Sequence, residues 1–94
     1  MPKFTVRVEL HGADERDYET LYEHMAAKGF TKTITGDDGR TWDLPPAEYN
    51  LVKALKQTEV RDLAAAAAKA TGRRAGVLVT EGTRCWIGLD ETSA

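Results

Sequence analysis

Residues 3–18, KFTVRVELHGADERDY, decide the fold because an alternating segment is followed directly by the start of a helix. Apolar side chains occupy every second position of the alternating half: Phe4, Val6, Val8 and Leu10. A period of two is typical of a β-strand with one buried and one exposed face. The sequence therefore predicts a first strand over residues 3–11, whose outward side chains include Arg7, Glu9 and His11.

A first helix is predicted over residues 15–28. Asp14 stands where an N-cap is expected, and Glu15 and Asp17 fall in the first turn, near the positive end of the helix dipole. The inner face is predicted from the i, i+3, i+4, i+7 spacing of four residues: Tyr18, Leu21, Tyr22 and Met25. Gly29 then follows as the left-handed residue that ends many helices.

Two segments after this helix carry strand and turn signals. FTKTIT, residues 30–35, alternates and is rich in β-branched residues, and GDDG, residues 36–39, has turn chemistry. RTWDL, residues 40–44, could return as a short strand. Because Pro45 and Pro46 remove two backbone donors, an edge segment or an irregular loop is expected there.

The segment AEYNLVKAL, residues 47–55, fits a helix or a strand by periodicity alone. Thr58 is a good N-cap, so a second helix is predicted to begin at Glu59 and to end at Gly72. Its inner stripe would consist of Val60, Leu63, Ala64, Ala67 and Thr71. If this helix starts at Thr58, the preceding segment is most economically a strand.

The last part of the chain predicts a hairpin. AGVLVTE, residues 75–81, and RCWIGL, residues 84–89, are apolar runs that flank Gly82-Thr83. Trp86 would then be a buried strand residue and Cys85 a packed thiol. The tail DETSA, residues 90–94, is expected to fray.

The element order β-α-β-β-α-β, with an extra terminal strand, predicts an α+β fold. It matches the ferredoxin-like sandwich, in which two helices cover one face of an antiparallel sheet, here with a C-terminal hairpin. Right-handed crossovers would place the first strand in the middle of the sheet. A chain of 94 residues suits a single domain over residues 1–94.

Composition narrows the classes of function. Lysine and arginine total 13 against 15 acidic residues, a net charge of −2, so the chain lacks the positive field that drives non-specific nucleic-acid binding. No apolar run has the length of a signal peptide or of a membrane helix, and a cytoplasmic protein without membrane contacts is expected. A single cysteine, Cys85, excludes an internal disulfide and a cysteine-built zinc site.

The outward residues of the first strand are the candidate catalytic site. Arg7, Glu9 and His11 would follow one another on one face at steps of about 7 Å. An RNA-cleaving site needs a base for the 2′-hydroxyl proton, an acid for the leaving oxygen and positive charge on the phosphate. Glu9 or His11 can act as base or acid, and Arg7 can hold the phosphate. The alternative is an exposed polar face with charge pairing.

A metal site is the next alternative, since Glu9, Asp14 and Asp17 carry oxygen ligands suited to Mg²⁺. Nothing in the sequence fixes their geometry, and Asp14 is better explained as a helix cap. No metal or other cofactor is therefore predicted.

A cluster of arginines is the candidate RNA-binding patch. Arg73, Arg74 and Arg84 lie close in sequence to the last helix-to-strand turn, and Arg7 would stand on the central strand. The chain has none of the basic-glycine-aromatic strand motif of RNA-recognition modules. The alternative for these arginines is that they are helix C-terminal and solubilising charges.

The pattern as a whole resembles the GhoS-type antitoxins, small ferredoxin-like endoribonucleases of type V toxin-antitoxin systems that are akin to CRISPR-associated adaptor nucleases. The similarity runs from about Phe4 to Leu63 and is looser beyond. Its matching positions are Glu9, Met25, Phe30, Gly39, Leu44, Tyr49, Leu55 and the segment EVRDL at 59–63. Helix one differs, since Thr20 and Tyr22 stand where the antitoxin carries arginines.

This resemblance implies a strand for residues 47–55, which correspond to the family's third strand. It also implies cleavage of single-stranded regions in a toxin's messenger RNA, with Glu9 at an acidic family position. The alternative is a non-enzymatic interaction module, a monomer or homodimer that pairs through an exposed sheet edge.

Overall fold

Over residues 1–93, which the computed structural model describes, the chain forms two helices and five strands. In chain order these are β1 (Lys3–Leu10), α1 (Glu15–Ala27), β2 (Thr33–Thr35), β3 (Thr41–Asp43), β4 (Glu48–Val52), α2 (Gln57–Lys69) and β5 (Ala75–Glu81). The predicted α+β class is confirmed, and so are the first strand, the first helix and the strand within residues 47–55. No described helix has both the length and the apolar character that a membrane span needs.

The strand β1 is the middle strand of a three-stranded antiparallel sheet with the order β4-β1-β5, as predicted. In the register, Val6 lies opposite Tyr49 on one side and Val79 on the other. Arg7 lies opposite Glu48 and Leu78. Because side chains alternate along a strand, Val6 and its two partners point to one face of the sheet, and Arg7 and its two partners point to the other.

The inward face of β1 packs beneath both helices, and its four apolar residues are buried, with Phe4 fully so. The core that they share with the helices and the neighbouring strands consists of Phe4, Val6, Val8, Leu10, Leu21, Met25, Phe30, Tyr49, Leu51, Val60, Ala64, Ala67 and Ala68. The small side chains of the alanine-rich helix α2 leave room for close packing on the sheet. The opposite side of the sheet stays open, and it carries Arg7 and Glu9, both exposed.

The N-terminus of α1 is fixed by a reciprocal cap. The Asp14 carboxylate accepts a hydrogen bond from the Asp17 backbone N–H at 3.0 Å, and the Asp17 carboxylate accepts one from the Asp14 N–H at 3.1 Å. Asp17 also accepts a hydrogen bond from Arg73 Nε at 2.9 Å, which ties the helix to the loop before β5. The hydrogen bond from the Asp14 backbone N–H lowers the pKa of the Asp17 carboxyl below its ordinary value, and the Arg73 guanidinium lowers it further.

This cap predicts an acid-dependent contribution to stability. A carboxyl whose pKa is lower in the folded than in the unfolded chain stabilises the fold at pH values above the unfolded pKa, 3.8. This stabilisation is lost as the pH falls below that value. Asp17→Asn is therefore expected to lower the melting temperature at pH 7 and to have a shrinking effect toward pH 3. Glu23→Gln, on the same helix, is the control. An equal effect of Asp17→Asn at both pH values would contradict this assignment.

The five strands do not form the single antiparallel sheet that was predicted for a ferredoxin-like sandwich. The strands β2 and β3 pair with each other in a separate two-stranded sheet. That sheet is joined to β4 by a single antiparallel bridge, in which Thr31 and Asn50 exchange backbone hydrogen bonds of 2.8 and 2.9 Å. Within the segment 40–44, Thr41–Asp43 thus form a short edge strand, which is one of the expected alternatives, and not an irregular loop.

The predicted C-terminal hairpin is wrong, since within the described residues no strand follows β5. Arg84 bonds across β1 and β4, and the backbone of Asp90 and Thr92 pairs with β3, so the chain leaves the sheet edge. Cys85 is exposed instead of packed, and Trp86 is half-buried outside any strand. The tail was predicted to fray, but it forms a bridge to β3 through Glu91; Ala94 lies outside the described residues.

The second helix begins two residues earlier than predicted, at Gln57, with Lys56 as its N-cap instead of Thr58. The Glu59 carboxylate accepts a hydrogen bond from the Lys56 N–H at 2.9 Å, which satisfies a backbone donor ahead of the helix. The helix therefore starts at Gln57, where the carboxylate of Glu59, its third residue, bonds back to the N-cap.

Candidate active site

The three predicted catalytic residues form a row on the open face of the sheet, here called the β1 row: Arg7, Glu9 and His11. Their side chains point away from the helices, and all three residues are exposed. Arg7 Nη2 lies 3.4 Å from Glu9 Oε2, with the two side chains 52% and 60% exposed. Arg7 Nη1 lies 4.0 Å from Glu48 Oε2 on the next strand. The guanidinium is thus positioned beside Glu9 without being buried.

A shallow cavity of about 310 Å³ joins the members of the β1 row on this face. It is lined by the row together with Gly76, Val77 and Leu78. Gly76 lies directly opposite Glu9 in the register and has no side chain to cover the carboxylate. The His11 backbone N–H donates to the Arg74 carbonyl at 2.8 Å, so Arg74 follows the row at the same end of the sheet.

A second and larger cavity, of about 710 Å³, lies beside Glu48, the first residue of β4, where β1 continues past its pairing with that strand; we call it the tyrosine cavity. It shares Arg7 and Glu9 with the β1 row, and its remaining walls are Tyr18, Tyr22, Lys32, Leu44, Pro46, Ala47 and Tyr49. The two cavities are therefore adjacent and meet at the same arginine and carboxylate.

The tyrosine cavity exists because a helix replaces the missing neighbour strand. Beyond Glu48, the backbone of β1 is met by the Ala47 carbonyl, which accepts from the Val8 N–H at 2.9 Å. One step further, the Tyr18 hydroxyl accepts from the Leu10 N–H at 3.1 Å and faces the Leu10 carbonyl at 3.4 Å. These bonds satisfy the strand edge and hold the Tyr18 ring in the wall.

Lys32 adds a second positive charge, besides Arg7, to the wall of the tyrosine cavity. Its Nζ donates to the carbonyls of Pro45 at 3.1 Å and Glu48 at 2.9 Å, and it lies 4.7 Å from the centre of the Tyr49 ring. Burial lowers the pKa of this ammonium, and the nearby Glu48 charge opposes that shift. Lys32 therefore fixes the loop that closes the cavity and is only half-buried.

Tyr49 is the buried floor of the cavity, 3% exposed, and packs edge-on against Phe30 with ring centres 6.5 Å apart. Burial raises the pKa of Tyr49 to about 12, so this wall is uncharged at neutral pH. Tyr22, by contrast, is 47% exposed and offers its ring to solvent.

The predicted RNA-binding arginines are placed differently from one another. Arg73 is bonded to Asp17 of the helix cap. Arg84 donates to the Phe4 carbonyl at 2.8 Å and to Asn50 Oδ1 at 2.7 Å, and burial lowers its pKa. Arg74 is exposed next to His11. Of the three, only Arg74 stands beside the β1 row with an exposed side chain that makes no hydrogen bond or ion pair to another of residues 1–93.

The aromatic residues and the lysine of the tyrosine cavity were absent from the sequence-based site: Tyr18, Tyr22, Lys32 and Tyr49. Helical spacing placed the tyrosines of α1 on the inner face, and it gave no reason to separate Tyr22 from the core. The one available signal was the acidic flank, since Glu15, Glu19 and Glu23 alternate with the tyrosines along the helix. Such charged neighbours favour a boundary position over a buried one.

The arrangement offers proton-transfer groups and positive charge on a single open face. A carboxylate can accept a proton, and an imidazole can either give or take one. A guanidinium presents paired N–H donors that match phosphate oxygens. Among residues 1–93, no group of three or more acidic, histidine or cysteine side chains is placed to hold a metal ion.

A family model described as Endoribonuclease GhoS matches residues 1–81 of the chain. The match ends at the last residue of β5 and contains the β1 row, both helices and every wall of the tyrosine cavity. The segment that carries Arg84 lies outside it. Comparison with curated proteins found no match to the chain.

Proposed function

The chain belongs to the GhoS endoribonuclease family, and on this premise we propose that it is an antitoxin that cleaves single-stranded RNA, with a toxin's messenger RNA as its substrate. The observation that carries this proposal is the β1 row, an arginine, a carboxylate and an imidazole on one exposed face that line one cavity. RNA cleavage needs a base, an acid and positive charge on the phosphate, and these three side chains can supply them.

The proposed reaction is an internal transfer. Glu9 takes the proton of a 2′-hydroxyl, and that oxygen attacks the adjacent phosphorus. The bond from phosphorus to the 5′-oxygen breaks, and His11 gives this oxygen a proton. The products are a 2′,3′-cyclic phosphate and a free 5′-hydroxyl. Arg7, beside Glu9, donates to the phosphate oxygens as their negative charge grows.

The first experiment is cleavage by the purified protein. Single-stranded RNA rich in uridine and adenine is incubated with it, with and without Mg²⁺, beside the same strand in a duplex. The single strand is expected to be cut and to carry cyclic phosphate ends. DNA of the same sequence is the control, because it lacks the attacking hydroxyl. Intact single-stranded RNA under both conditions would refute the proposal.

A salt titration tests the role of Arg7 without cleavage. Each phosphate contact to a single strand adds about 0.7 to the slope of log affinity against log salt. With a 2′-O-methyl strand, Arg7→Ala is expected to weaken binding and to reduce that slope by about 0.7. Arg16→Ala, an exposed arginine of α1 outside both cavities, serves as the control. An unchanged slope for Arg7→Ala would remove the phosphate contact.

One observation favours a non-enzymatic interaction module as the second candidate. The open face also exposes apolar side chains, Leu78 by 64% and Val52 by 43%, and β5 is an outer strand of its sheet. Such a face suits pairing with a second copy or another protein. Light scattering separates the two candidates. A wild-type dimer that becomes a monomer in the Leu78→Asp variant, together with the absence of RNA binding, would support the interaction module.

A further inference from the structure

We infer that the tyrosine cavity binds one unpaired nucleobase of the RNA, next to the phosphate held at the β1 row, with Tyr22 as the stacking surface. The inference rests on the proposed function, and it names a substrate-binding subsite for that function. Arg7 and Glu9 line both cavities, so a nucleotide whose phosphate meets Arg7 has its base within reach of the tyrosines.

The two tyrosines of α1 have different tasks in this subsite. The hydroxyl of Tyr18 is engaged with both backbone groups of Leu10, which fixes its ring. Tyr22 stands one helical turn further along the same cavity and is 47% exposed. An exposed ring beside a fixed one is a surface on which a base can stack, and stacking of this kind accepts any base.

Charge decides how the strand would lie. On their other side, Tyr18 and Tyr22 border a depression lined by three exposed glutamates: Glu15, Glu19 and Glu23. Phosphates are repelled there, whereas on the other side the positive charges of Arg7 and Lys32 offset the negative charges of Glu9 and Glu48. The backbone is therefore expected to run over the β1 row, with the uncharged base turned toward the tyrosines.

Size and polarity agree with this occupant. A volume of about 710 Å³ falls within the range of roughly 300–1,000 Å³ of small-molecule sites. The walls are mostly aromatic and aliphatic, and the phenol of the buried Tyr49 is uncharged at neutral pH. A base offers the flat apolar face that such walls accept.

The test is binding of a 2′-O-methyl oligonucleotide, which does not react, to the full chain. Tyr22→Ala is expected to weaken binding on the order of 5- to 150-fold, the range for loss of one stacked base. Its salt slope should stay that of wild type, because no phosphate contact is lost. Tyr22→Phe should keep most of the affinity. Ile87→Ala, which removes a 96% exposed apolar side chain outside the cavity, should have no effect.

An abasic scan then locates the base. Removal of one particular base should weaken binding to wild type as much as Tyr22→Ala does, and the two changes together should cost no more than either alone. Additive effects at every position, a Tyr22→Ala variant that binds like wild type, or no binding by wild type would overturn the subsite. A protein that shows the coupling but cuts no RNA would keep the subsite and refute the nuclease.

Discussion

Glu9→Gln is expected to slow single-turnover cleavage of single-stranded RNA by about 10²–10⁴-fold, the usual contribution of a general acid or base. Glutamine keeps the size and the acceptor oxygen of the side chain but does not take up a proton at neutral pH. The fold should be unaffected, because Glu9 is 60% exposed and its contact with Arg7 is a surface ion pair. Such pairs contribute about 0–1 kcal/mol.

The measurement is the rate with enzyme in excess over labelled RNA, next to a thermal melt of each variant. Glu81→Gln is the control, since Glu81 is an exposed glutamate of the same sheet that lines neither cavity. A folded Glu9→Gln protein that cuts at the wild-type rate would show that Glu9 is not the base.

Phe4→Ala is expected to lower the free energy of unfolding by about 3–5 kcal/mol, the range for truncating a buried phenylalanine. Phe4 is fully buried beneath the helices on the middle strand, so the lost side chain leaves a cavity at the centre of the core. A domain of this size has only about 5–15 kcal/mol in total. A large part of the stability should therefore disappear.

Leu78→Ala is the matched control, because Leu78 lies on the open face of the sheet and is 64% exposed. It should change the free energy of unfolding by about 0.5 kcal/mol or less. Urea unfolding followed by circular dichroism gives both values, with similar slopes expected for the two variants. Comparable losses would mean that the two faces of the sheet have been assigned the wrong way round.

Local patterns were sufficient for the parts of the fold that depend on neighbours in sequence. Alternation in residues 3–11 predicted both the strand and its outward row, and Asp14 predicted the start of α1. The segment 84–89 misled because its apolar residues resemble a strand, whereas its path is set by distant partners. Arg84 bonds to Phe4 and Asn50, which are 80 and 34 residues away in sequence, so a pattern of neighbouring residues does not reveal these contacts.

The same distinction holds for the site. The β1 row follows from period two alone, since every second side chain shares a face. The tyrosine cavity depends on the pairing of β1 with β4 stopping at Glu48 and on the Tyr18 hydroxyl that bonds to β1 beyond that point. It also depends on Lys32, which holds the loop at Pro45 and Glu48. These contacts join residues far apart in the chain, so helical spacing alone assigned Tyr22 to the inner face.

The role of the β1 row is tested most directly by RNA cleavage with a triple variant, Arg7→Ala with Glu9→Ala and His11→Ala. The control triple variant, Lys3→Ala with Val52→Ala and Thr80→Ala, changes the far end of the same open face. With both proteins folded by circular dichroism, the control is predicted to cut single-stranded RNA like wild type and the row variant to cut none. Cleavage by the folded row variant at the wild-type rate would contradict the assignment of the site to this face.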